Sequence, residues 1–167
     1  MESSRTACRA SQIAEISGVE TVTLQQWRAL YFGTTNNSGN AANSANPDGD
    51  SLVNLLEYAF ALNPTNQNPA PQFTPVLVQS NNTVWFGCSF PRNAKAGDIA
   101  FEVQAAPVPS SSDWLNIATR SAGGGWTGPA IAWESSATQD TVRVTVLNTQ
   151  PLALATNRFL RLQVLAP

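Results

Sequence analysis

The stretch from Asn46 to Glu57 sets oxygen-bearing groups at regular intervals: Asn46, Asp48, Asp50, the backbone carbonyl of Leu52, Asn54 and Glu57. A hard cation such as Ca²⁺ takes six to eight oxygen ligands. The EF-hand loop supplies them from positions 1, 3, 5, 7, 9 and 12, the last a bidentate Glu carried in by the exiting helix. With Asn46 at position 1, every one of those positions has an oxygen, and Glu57 falls at position 12. Asp and Glu number 11 in a chain that is only 12% charged, so three carboxylates within one twelve-residue stretch point to a cation. The expected ligands are therefore Asn46, Asp48, Asp50, Leu52, Asn54 and Glu57, and the expected cofactor is Ca²⁺. Asn46 is neutral where Asp is usual, and Ser51 holds position 6, where the turn favours the positive φ of Gly. Both departures predict a weak site, roughly 10⁻⁵ to 10⁻³ M. The competing reading is a turn in which Asp50 or Ser51 merely caps the next helix, but a cap accounts for neither Asp48 nor Glu57 at its register.

Two helices are expected to position this loop. Thr23-Leu24-Gln25-Gln26 reads as a capping box, with Val22 set to staple onto Trp27. Leu24, Trp27 and Tyr31 then give one apolar face over about residues 24 to 32, which Gly33 ends in a left-handed conformation. The second helical pattern spans Leu52 to Leu62 and stops at Asn63-Pro64. The two apolar stripes are expected to pack across the loop as one unit.

From Phe73 onward the period changes to two, most clearly in Val84-Trp85-Phe86-Gly87-Cys88-Ser89-Phe90. Further strands are expected over residues 73–79, 98–106, 113–118, 130–134, 140–147 and 158–165. The fold class is thus mostly β with a small α part, the β half forming an antiparallel sandwich of immunoglobulin-like or jelly-roll kind. The expected division is a leader or interaction segment, 1–22, a helix–loop–helix unit, 23–64, a linker, 65–72, and a separately folding β domain, 73–167.

Trp27-Arg28, Tyr31-Phe32-Gly33-Thr34, Asn46-Pro47-Asp48-Gly49-Asp50-Ser51-Leu52, Asn54-Leu55-Leu56-Glu57-Tyr58-Ala59, Asn63-Pro64 and the closing Arg158-Phe159-Leu160-Arg161-Leu162-Gln163-Val164 occur in one order. In that order the chain resembles the C-terminal region of large secreted proteins from Verrucomicrobia, planctomycetes and related bacteria, over about residues 24 to 165. There a dockerin-like or thrombospondin type-3-like loop precedes a β domain. The resemblance implies an extracellular, calcium-stiffened module without catalysis. Ser51 departs from that pattern, which generally has Gly at its position.

Composition narrows the functional classes. A net charge of −2 and a single Lys among 9 basic residues leave no Lys/Arg cluster for a phosphate backbone, which argues against nucleic acid. No apolar stretch reaches the ~20 residues of a membrane span, and the first 23 residues lack the apolar core of a signal peptide. An extracellular or cell-surface location is expected, with any export signal outside this sequence. The chain has no His, which removes the Ser-His-Asp and Cys-His constellations. Asp98, Glu102, Asp113, Glu134 and Asp140 remain as carboxylates for acid/base work, but no spacing selects two of them. Trp85, Trp114, Trp126 and Trp133 are candidates for a sugar platform, Trp126 above all in its Gly-rich turn, against half-buried sheet positions for the others. A surface subunit that self-associates into a filament or array by strand addition is a further reading, with residues 1–22 as the donated segment. Cys8 and Cys88 are the only cysteines. A disulfide between them and a packing role for Cys88 are both open readings.

Overall fold

The computed structural model describes residues 20–68, 73–136, 138 and 140–167; most of the expected leader, Cys8 and part of the linker lie outside them. Helix α1 spans Leu24–Phe32. The Thr23 hydroxyl accepts from the Gln26 N–H while the Gln26 side chain accepts from the Thr23 N–H, so both halves of the capping box are made. Gly33 closes the helix at φ 67° with its N–H on the Ala29 carbonyl. A single 3-10 turn, Gly39–Ala41, precedes the loop. Helix α2 spans Asn54–Phe60, shorter at both ends than the apolar pattern suggested. Val53 is still extended and Leu52 lies outside the helix, and Ala61 takes a left-handed conformation that turns its N–H onto the Glu57 and Tyr58 carbonyls. The helix thus ends before Asn63-Pro64.

Eight strands follow among the described residues: β1 Thr74–Ser80, β2 Thr83–Asn93, β3 Ala100–Ala106, β4 Leu115–Arg120, β5 Trp126–Thr127, β6 Ala132–Ser136, β7 Thr141–Leu147 and β8 Phe159–Leu165. They form two antiparallel four-stranded sheets, ordered β1-β2-β7-β6 and β5-β4-β3-β8. The first order corresponds to strands A-B-E-D of immunoglobulin-type sandwiches, and β8 beside β3 corresponds to F beside C. Cys88, Phe90, Val144 and Val146 of one sheet meet Phe101, Val103 and Ile117 of the other in one buried cluster, with Phe90 and Phe101 stacked at 6.3 Å. Cys88 is fully buried there, and desolvation pushes its thiol up to about 12.

The helices belong to the same cluster. Leu24, Trp27, Tyr58, Ala59 and Phe60 are buried with the sheet residues. Trp27 meets Tyr58 edge-on at 5.7 Å, so α1 touches α2 through Tyr58, a residue outside the expected apolar stripe of α2. They are also tied to the sandwich. The Asn93 amide donates to the Tyr58 carbonyl at 2.9 Å, the Leu24 N–H donates to Asp98 at 2.7 Å, and the Tyr58 hydroxyl lies on the same Asp98 carboxylate. One core therefore spans the helical unit and residues 73–167. Buried contacts thus cross the expected boundary at residues 65–72, since apolar faces as short as these need cover beyond each other. Among the described residues, no helix is long and apolar enough to cross a membrane.

Candidate metal centre

The loop between the helices is fixed from both sides. From α1, the buried Arg28 guanidinium donates to the Asn43 side chain and to the Thr35 carbonyl. From α2, Asn54 donates through its amide to the Asn40 and Ala42 carbonyls, at 2.7 and 2.8 Å. Val53, the residue before α2, has no capping side chain. Loop carbonyls serve instead: Ala45 accepts from the Asn54 N–H at 2.9 Å and Asn43 from the Leu55 N–H at 3.1 Å. The start of α2 thus cannot move without the loop.

Within that frame the carboxylates of Asp48, Asp50 and Glu57 converge, each offering an oxygen within 4.8 Å of the others. The turn that brings Asp48 and Asp50 together uses Gly49 at φ 73°, and the Asp50 N–H donates to Asp48 Oδ1 at 3.2 Å. The positive φ expected at position 6 is found two residues earlier, and Ser51 has no such strain. Asn46 accepts from the Gly49 N–H at 2.9 Å and donates to the Asp50 carbonyl at 2.6 Å. Its oxygen keeps one lone pair beyond this turn bond.

Glu57 is 0% exposed, and its Oε2 has no hydrogen-bond partner among the described residues; the same holds for the buried oxygens Asp48 Oδ2 and Asn54 Oδ1. Buried polar atoms are satisfied in the great majority of cases, so these three oxygens leave acceptor capacity at the loop that a cation would fill. The electrostatics agree. Burial, then the Asp48 and Asp50 charges, push Glu57 up from 4.5 to about 7. Asp50 is held below its ordinary value by N–H groups of Leu52 and Asn68. The site as built carries more negative charge than its surroundings neutralise, and an all-oxygen donor set suits a hard cation.

Asn68 was not legible as part of this site. Its amide donates to Glu57 Oε1 at 2.9 Å and to the Asn63 carbonyl, while its N–H donates to Asp50 Oδ2. Gln67 reaches the Asp48 carbonyl at 3.3 Å. The only signal was the run of amides in what reads as linker, Asn66-Gln67-Asn68.

The other candidate side chains stand elsewhere. Asp98 anchors α1 and Tyr58, Asp140 pairs with Lys95, and Glu102 accepts from Gln104 at 3.0 Å. Asp113 accepts from the Ser112 hydroxyl, and its N–H donates to Ser111. Glu134 takes a bidentate pair from Arg92, at 2.9 and 2.8 Å, with Arg120 alongside. Burial raises Glu134, but these cations and the Trp126 N–H outweigh it and hold the carboxyl below its ordinary range. Trp126 donates to Glu134 at 2.8 Å and packs against Phe90 and Phe101, so its ring closes the sandwich at β5 and β6. Arg161 lies over the Trp114 ring at 4.3 Å, Trp85 is half-buried, and Trp133 is exposed. Comparison with protein-family models, characterised proteins and solved structures finds no match for this chain.

Proposed function

We propose that this chain is a non-catalytic, calcium-stabilised structural module of an extracellular or cell-surface protein. The observation that carries the reading is the convergence of Asp48, Asp50 and the wholly buried Glu57, with oxygens of Asp48, Asn54 and Glu57 left without partners. The three carboxylates, the side-chain oxygens of Asn46 and Asn54 and the Leu52 carbonyl would hold the ion, whose charge would neutralise the cluster and fix the start of α2. Calcium suits this donor set better than magnesium, which demands near-ideal octahedral geometry and keeps several of its waters. The low charge of the chain and its resemblance to secreted bacterial modules support the location, where calcium is abundant enough for a weak site.

An ion that binds only the folded state stabilises it by RT ln(1 + [Ca²⁺]/Kd), about 2.7 kcal/mol at a hundredfold excess over Kd. Melting the full chain in millimolar calcium and in excess chelator tests the reading. A clear upward shift with calcium, smaller with magnesium, is expected. Equal melting temperatures in calcium and chelator would overturn it.

A further inference from the structure

A sandwich of two open sheets has four edges, here β1 and β6 in one sheet and β5 and β8 in the other. An exposed edge strand offers unpaired N–H and C=O groups to any other strand, and proteins blunt such edges with Pro, charge, bulges or short length. Three of the four edges are blunted. Strand β1 carries Pro75, β5 has two residues, and β6 is five residues long and tied across the sandwich by the Trp126–Glu134 hydrogen bond. Strand β8 is the one edge that has neither Pro nor short length, and its single charge, Arg161, is engaged within its own protomer by Gln104 and the Trp114 ring. Its seven residues, Phe-Leu-Arg-Leu-Gln-Val-Leu, contain no Pro, Gly or Lys. They pair with β3 in unbroken register from Ala100↔Leu165 to Ala106↔Phe159. The outer edge of β8 has no strand beside it among the described residues, at the position that strand G fills beside F in an immunoglobulin-type sandwich. A cleft of about 170 Å³, lined by Phe73, Pro75, Phe86, Arg158, Phe159 and Leu160, opens on this same side.

The occupant is indicated by the pattern of β8 itself, which is self-complementary in antiparallel pairing. From these residues we infer that β8 is a dimerisation edge, on which β8 of a second copy adds in antiparallel register centred on Leu162. That register sets Leu162 against Leu162, Leu160 against the second copy's Val164, Arg161 against its Gln163, and Phe159 against its Leu165. Leu160, Leu162 and Val164 are only half-buried against the core, and the pairing covers them with one another. Phe159 and Leu165, 42% and 37% exposed on the outer face, meet across the seam. The Arg161 charge, already held by Gln104 and the Trp114 ring, faces a neutral amide. Centring the pair one residue earlier would instead set Arg161 against Arg161, and like charges directly opposite are destabilising. The two β5-β4-β3-β8 sheets become one continuous sheet across a two-fold axis, a closed contact that uses the same patch on both copies. This surface lies outside the metal loop and stands or falls separately from it.

The test is sedimentation velocity of the full chain over a concentration series, beside Gln163→Lys. Gln163 is exposed and pairs with Glu102 in its own sheet, so a lysine there suits the folded protomer while setting a cation against the second copy's Arg161, twice by symmetry. The wild type is expected to dimerise with rising concentration, its β8 amides gaining protection from hydrogen exchange as it does. Gln163→Lys is expected to weaken the dimer roughly tenfold. A wild type that stays monomeric throughout overturns the inference. So does an association that Gln163→Lys leaves unchanged, which would place the contact on residues 1–19, on β1 or on another surface.

Discussion

Glu57 concentrates the chemistry of the loop in one side chain. Buried and facing two other carboxylates, it has its folded pKa raised from 4.5 to about 7. A raised acid pKa means that its contribution to stability is fully present below pH 4.5 and is lost as the pH climbs through about 7. A bound cation removes that loss by taking the place of the proton. In chelator, the melting temperature should therefore fall across this window through Glu57, while in calcium it should hold, so that the calcium-induced shift widens with pH. A shift of constant size from pH 4.5 to 8 would show that Glu57 does not face the ion. Glu57→Gln separates the two effects by sign: above pH 7 it should melt higher than the wild type in chelator, and calcium should add little. Asn46→Asp should do the reverse, strengthening the calcium response while lowering stability in chelator. The carboxylates were legible in the sequence because alternate oxygens at fixed positions are a local signal. Asn68 was not, because its place against Glu57 depends on how the chain turns back after Asn63-Pro64, and no local pattern encodes that return.

At the level of elements, α1 was readable to the residue because both of its ends are written in side chains, Thr23 with Gln26 at the start and Gly33 at the stop. Helix α2 is shorter than its apolar spacing, which begins inside the loop, and it stops at a left-handed Ala61 rather than at a Gly or Pro. Strand β5 leaves no signal in the sequence, because two residues cannot display a period of two. The contact that joins the helices is Trp27 on Tyr58, and it predicts an effect at a distance. Trp27 offers no ligand, yet Trp27→Ala should cost about 3 to 5 kcal/mol through the cavity it leaves. It should also weaken calcium binding, because Tyr58 directly follows Glu57 and shares its helix. Calorimetric titration of the variant, at a temperature where it remains folded, checks this. Wild-type affinity in that titration would mean that the loop is held by Arg28 and Asn54 alone.

At the scale of the whole molecule, the question is how far an ion in the loop is felt. The change of period at Phe73 suggested a boundary, and a helix–loop–helix unit beside a β domain was the natural reading, because local patterns carry no record of which buried faces meet. In the folded chain, contacts cross that boundary. Tyr58 and Asp98 share a hydrogen bond, Asn93 caps the Tyr58 carbonyl, Val22 bridges to Ala96, and Leu24, Trp27, Phe60, Phe90 and Phe101 lie in one buried cluster. A core without a seam should unfold cooperatively. Calcium bound between Asp48 and Glu57 should then raise the melting of the sheets as much as that of the helices. The measurement is a pair of melts in calcium and in chelator, followed once by the near-ultraviolet signal of the aromatic side chains and once by far-ultraviolet circular dichroism in the β region. Coincident transitions that move together are expected, because chelation removes stability from a single folding unit. If the far-ultraviolet transition of the sheets stayed fixed while a separate helical transition moved, the contacts through Tyr58 and Asn93 would be too weak to couple the loop to the sandwich, and the boundary near residue 73 would be a true one.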